Sequence, residues 1–208
     1  MAISSLSELN SCLTEPLTLV NLRAIMLLLT KAHYADADNF GTFSEELACV
    51  ATDPDDPAGK LSIVLDFIPS TKNPSPRPAI WVNLESCKFD KKVIDNLAAF
   101  SDDNSRTVYV KMQNVVFTLT HVHESVDIAL MMAETTADFF TGMRPHLMGT
   151  LNISMFEVTE IGKPKLPERA PERYFEVDVV IQMMFSSTVT TNIESHRLKK
   201  FALDLQPE

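Results

Sequence analysis

The residues best placed for chemistry are two histidines in the run His121-Val122-His123-Glu124. Side chains two apart on a strand share a face, so both imidazoles could reach one Zn2+, with His146 or His196 as a third ligand. The same run also fits a plain strand-to-helix junction, where polar residues are expected at the sheet edge. Glu124 and Asp127 are then explained as favourable charges at the positive end of a helix dipole. Other chemistry is scarce. Five glycines scattered at 41, 59, 142, 149 and 162 leave no Gly-rich phosphate loop. Neither a GxSxG elbow nor an HExxH pair occurs. Asp53-Pro54-Asp55-Asp56 has a proline at the second position and lacks the distal Glu of a calcium loop, so it reads as a solvated turn. Cys12, Cys49 and Cys87 are widely spaced with no CxxC pair, which points to free buried thiols. No catalytic residue, metal or cofactor is expected.

The elements that must position these residues follow from hydrophobic spacing. Leu6, Leu9 and Leu13 predict a short amphipathic helix ending near Glu15-Pro16. A second helix is expected from Thr14 as N-cap, with Pro16 in the first turn, to about Tyr34. Residues 1–35 thus form an amino-terminal helical segment. Apolar residues from Leu17 to Leu29, among them Leu22, Ile25 and Leu29, cover nearly the whole circumference of the second helix, so it should be buried on most sides.

Leu61, Ile63, Leu65 and Phe67 alternate as a strand, as do Ile80, Val82 and Leu84, with the proline-rich connection 69–78 between them. Trp81 faces away from Ile80 and Val82, as an interface anchor or as part of the core. From Arg106 the chain is strongly β. A change of parity between Val108, Val110, Met112 and Val115, Phe117, Leu119 predicts a bulge or break at Gln113-Asn114.

A helix over about 124–141, closed by Gly142, should lie on the sheet. Strands follow at 151–161 and from Phe175, the latter alternating through Phe185, and a last short strand is expected at Leu198–Leu205. Met131-Met132 and Met183-Met184 are expected to fill core gaps. Strands in runs, joined by loops rather than by βαβ crossovers, give an α+β fold. Its sheet is mainly antiparallel, with one helix packed on it and long connecting loops, in a single domain of residues 1–208.

Composition narrows the function. The 208 residues carry a net charge of −10, and the carboxy-terminal quarter is the least acidic part. An acidic chain with no basic stripe argues against tight nucleic-acid binding. No run approaches the ~20 apolar residues of a membrane span, and the amino terminus lacks a basic secretion-signal region. A cytosol-like site of synthesis is expected.

Five segments together resemble the neck-terminator and tail-terminator proteins of tailed bacteriophages, over residues 106–206. They are VVFTLTHVH, ESVDIALMMAETTADFF, NISMFEVTEIG, a Pro-rich loop with Glu-Arg, and PERYFEVDVVIQMMF with its Glu172-Arg173 then Asp178 cluster. His123-Glu124 stands where the family usually has a Gly.

The resemblance implies a structural virion protein of the neck or tail, without enzymatic activity. Copies would form a ring, commonly a hexamer, that terminates the tail tube and joins it to the head-to-tail connector, with DNA passing through the lumen. Its partners would be other copies of itself, the connector, the tail tube and a sheath protein, with no membrane. Candidate subunit contacts are Lys163, Lys165, Arg169, Glu172 and Arg173 in the extended loop, Leu22, Ile25 and Leu29 on the second helix, and Trp81. Two alternatives remain: an adaptor that binds a partner by adding a strand to the sheet edge, and a metal-dependent enzyme using His121 and His123.

Overall fold

The computed structural model describes residues 17–48, 50, 61–65, 78–89, 97–100, 106–166 and 174–192. Helix α1 spans Leu19–Tyr34. Thr18, rather than Thr14, is its N-cap: the Thr18 hydroxyl accepts from the Asn21 amide at 3.2 Å. Leu22, Ile25, Met26, Thr30, His33 and Tyr34 form its buried stripe, while Val20 is 72% exposed. The helix therefore has a solvent side despite its apolar composition. A 3-10 segment, Ala37–Phe43, leads into the short helix α2, Ser44–Leu47. Gly41 kinks this segment at φ 57°, a value that glycine adopts without a Cβ penalty.

Among the described residues six strands form one sheet: β1 Ser62–Leu65, β2 Ala79–Phe89, β3 Leu97–Phe100, β4 Arg106–His123, β5 Ile153–Ile161 and β6 Phe175–Asn192. Their order is β1-β2-β4-β6-β5, with β3 also on β4. All pairings are antiparallel except β1 with β2. The fold is therefore α+β with a mainly antiparallel sheet, as the sequence pattern predicts.

Helix α3, Val126–Leu151, crosses β4, β5 and β6, while α1 lies over β1 and β2. Both cover the same face, where Ile80, Val82, Val115, Phe117, Leu119 and the odd-numbered residues Val177 to Phe185 form the main core. A second, smaller cluster of Ala79, Trp81, Val122 and Tyr174 gathers separately from it.

Two expectations are corrected. Helix α3 does not close at Gly142 but runs on to Leu151, through Gly142, Pro145 and Gly149. Leu147 is buried in the core one stripe beyond Phe140, and this packing outweighs the local breakers. The turn that ends the helix is Asn152, whose left-handed φ of 52° suits a short side chain that bonds locally. The expected bulge or break at Gln113-Asn114 is absent as well. Strand β4 runs unbroken and pairs one to one with β6 from Arg106↔Asn192 to His123↔Phe175. The irregularity lies instead in the partner strand β2, between Leu84 and Ser86.

The sheet is uneven in depth. Strand β2 ends opposite Gln113, and β5 begins opposite Phe185, which pairs with Gln113. Beyond that line β4 and β6 continue paired, 106–112 against 186–192, and among the described residues β3 flanks the β4 side. The expected elements at 1–13, 69–77 and 198–205, and the Thr14 and Pro16 positions, lie outside the described residues.

Candidate functional site

His121 does not stand at an accessible sheet edge. It is fully buried under α3, and both ring nitrogens have protein partners. Nδ1 lies 3.2 Å from the Val177 carbonyl and Nε2 lies 2.8 Å from the Thr136 hydroxyl. A carbonyl can only accept, so Nδ1 carries the proton and Nε2 accepts from Thr136. The Tyr34 hydroxyl donates to the Met132 carbonyl at 2.9 Å and sits 2.9 Å from the same Thr136 oxygen. One chain of hydrogen bonds thus ties the sheet, α3 and the end of α1. Burial holds the His121 imidazole down to about 4, against the weaker upward pull of the Val177 carbonyl and the Asp178 charge. Burial also pushes the Tyr34 hydroxyl above its ordinary range.

His123 has a different role. Its Nδ1 accepts the Ser125 amide at 2.9 Å, so the imidazole caps the start of α3 where the Ser125 side chain makes no cap bond. Joint chelation would require breaking a hydrogen bond of the buried His121 ring, whose two nitrogens are both engaged. Among the described residues, no group of three or more His, Cys, Asp or Glu side chains is arranged to hold a metal ion.

A third histidine, His33, is absent from the sequence argument because a lone polar residue in the last turn of a helix gives no signal. It is buried against Phe139 (stacked, centroids 4.6 Å apart), with Tyr34 and Phe40 edge-on. Neither ring nitrogen has a hydrogen-bond partner, and burial lowers its pKa to about 4. His33 is therefore an apolar-packed neutral ring, at the cost of two unmet hydrogen-bonding positions.

The best-built polar feature outside the core centres on Asp178. Its carboxylate accepts from Thr120 at 2.7 Å and from the Lys165 ammonium at 2.7 Å, and its carbonyl accepts the Gly162 amide at 2.7 Å. Asp178 raises the pKa of Lys165, through the hydrogen bond first and its charge second. Lys165 also exchanges backbone bonds with Glu176 in both directions at 2.9 Å. A Cβ on Gly162 would press on Asp178 at 3.4 Å. The start of the β5–β6 loop is thereby latched to the sheet.

Of the residues proposed as subunit contacts, the structure places Lys165 in this latch and Lys163 in the open. Leu22 and Ile25 are core residues, 1% and 2% exposed, Leu29 is half-buried, and Trp81 is 4% exposed in the smaller cluster. Arg169, Glu172 and Arg173 lie outside the described residues. A shallow groove of about 420 Å³ runs between α3 and β5, lined by Thr141, Arg144, Phe156, Glu157, Val158 and Thr159. Arg144 and Glu157 face each other across it at 3.8 Å and satisfy each other's charge. No described helix is long and apolar enough to cross a membrane.

No family model matches the chain, and no curated protein matches it. Among solved structures, the chain is similar to one from the virion of a native gene transfer agent particle, at 14% identity. The match covers 74% of this chain and 94% of that one with a TM-score of 0.35.

Proposed function

We propose that this chain is a structural subunit of a tailed-phage type of virion, acting in the neck or tail, and that it is not an enzyme. Copies form a ring that ends the tail tube and meets the head-to-tail connector, with DNA passing through the lumen. The observation that carries this reading is the contiguous unit β4-α3-β5-β6. It packs as one sheet-and-helix layer in the element order on which the resemblance to neck and tail terminators rests.

The histidine pair supports the reading from the other side, since His121 holds the core together and His123 caps a helix. Strand addition at the outer edge of β5 is disfavoured by its two register shifts and by exposed Glu157 and Glu160, features that blunt an edge. The acidic composition suits a lumen that passes DNA without holding it.

The test is native mass spectrometry across a range of concentrations, with negative-stain images of the same sample and added tail-tube protein. A discrete ring with a central hole, alone or on tubes, is the expected result. A monomer that stays monomeric at every concentration and does not bind tube ends overturns the proposal.

A further inference from the structure

The hydrogen-bond chain that joins the sheet to α1 has more positions than it has protons. Four close contacts run along it. Nδ1 of His121 lies 3.2 Å from the Val177 carbonyl and Nε2 lies 2.8 Å from the Thr136 oxygen. That oxygen is 2.9 Å from the Tyr34 hydroxyl, which is in turn 2.9 Å from the Met132 carbonyl. A neutral imidazole, a threonine and a tyrosine bring one proton each to these contacts. With Nδ1–H on Val177 and the Thr136 proton on Nε2, the single Tyr34 proton must serve both the Thr136 and the Met132 oxygens. Thr135 brings its own proton to the Met132 carbonyl at 3.1 Å, so it leaves the shortage unchanged.

A proton added at Nε2 removes the shortage. Nε2 then donates to Thr136, the Thr136 hydroxyl turns over and donates to Tyr34, and Tyr34 donates to Met132. Every contact holds its own proton, and a carbonyl oxygen ends the chain on each side of the ring. The turnover needs two hydroxyl rotations and no movement of the backbone.

Burial opposes the charge, and the groups around the ring divide. On β6 the Asp178 carboxylate favours an imidazolium, although Thr120 and Lys165 already engage it. On α1, His33 opposes it. The neighbours on α3 and β2, Thr136 and Ile80, carry no charge.

We propose that this chain is an acid-responsive device in the core: the folded protein takes up one solvent proton at His121 Nε2, and the Thr136 and Tyr34 hydroxyls reverse together. The junction of α1 with α3 thereby gains a hydrogen bond as the charge arrives. His33, next to Tyr34 on α1, is built the other way, since neither ring nitrogen has a partner to receive an added proton. The two buried rings split the acid response: His121 takes its charge within the fold, and His33 is the weak point.

Side-chain nitrogen NMR of the full chain, titrated from pH 7 down through pH 4, tests this. The His121 ring is expected to pass from singly to doubly protonated while the Phe117 and Ile181 amides keep their folded shifts. The same titration in His33→Phe removes the competing ring and holds the fold to lower pH. In that background Tyr34→Phe deletes the acceptor that the reversed Thr136 hydroxyl needs, and the proton affinity of His121 is expected to fall at least about threefold. A packing role for Tyr34 alone would change the melt and leave that midpoint in place. Thr136→Ser keeps the relay oxygen and is expected to titrate like its parent. Unfolding of both the unaltered chain and His33→Phe before His121 titrates overturns the proposal. So does a His121 midpoint that Tyr34→Phe leaves unchanged or raises. None of these outcomes depends on whether a ring forms.

Discussion

The two halves of β6 share one strand and one partner, yet different physics holds them. From Val179 to Phe185 the strand lies between β4 and β5, and its odd-numbered residues from Val177 to Phe185 are fully buried beneath the helical layer. From Ser186 to Asn192 its partner among the described residues is β4. Backbone hydrogen bonds serve both halves, and the first half adds the apolar burial that dominates folding free energy. The described core anchors the first half, and unbroken pairing with β4 carries the strand on to Asn192.

The sharpest way to break the comparison is to damage the core half alone. Phe117→Ala, in the centre of β4 with no exposure, is expected to destabilise the protein by about 3–5 kcal/mol in urea unfolding. A loss below about 1 kcal/mol would mean that the two halves contribute alike.

Acid comes next. The unfolded chain binds protons at His33 and His121 near 6.5 and the folded chain only near 4, so stability is complete above 6.5 and falls as pH drops from 6.5 through 4. Protonating each ring in the folded chain costs on the order of a few kcal/mol over that window. Thermal melts at pH 7 and pH 4.5 should show a large drop, part of which His33→Phe removes. At pH 7 His33→Phe is expected to be neutral or stabilising, because it replaces an unpartnered ring by an apolar one.

A smaller effect should come from Tyr34→Phe, which deletes the hydroxyl bonded to the Met132 carbonyl. About 1 kcal/mol of loss in a chemical melt is expected. Smallest is Lys165→Met at the latch, where the ammonium side is largely exposed. The loss should stay below about 1 kcal/mol and shrink further with added salt. A larger effect there would mark the loop latch as a third source of stability, independent of the core.

Much of the architecture was legible in the residues. Alternation from Val177 to Phe185 marks one buried face and one half-buried face of β6, and the sheet has that arrangement. Helical spacing from Ala129 to Phe140 located the buried stripe of α3. The errors fall where local signals compete with packing. Gly142 and Pro145 resemble a helix end until Leu147 finds the core. The parity change near Gln113 resembles a break until β6 continues the pairing on both sides of it.

At the candidate site, the sequence exposed a histidine pair but not its surroundings. His121 and His123 share a strand, yet one bonds to Thr136 and the other to the Ser125 amide. Thr136 and Tyr34 are far apart in sequence, and no spacing rule joins them. His33 was invisible for the same reason, since Phe139 and Phe40 reach it from other elements.

What the sequence by itself determined is the strands β1, β2, β4, β5 and β6, the helices α1 and α3 and the buried face of β6, because hydrophobic periodicity is a local record of a future interior; the short α2, the 3-10 segment and β3 carry no such period. The tertiary structure alone decided where α3 ends, which histidines are structural, how Asp178 holds the loop, and that β4 and β6 pair over their whole length. Those outcomes depend on contacts between residues distant in the chain, and their free energies are set by burial that no local pattern contains.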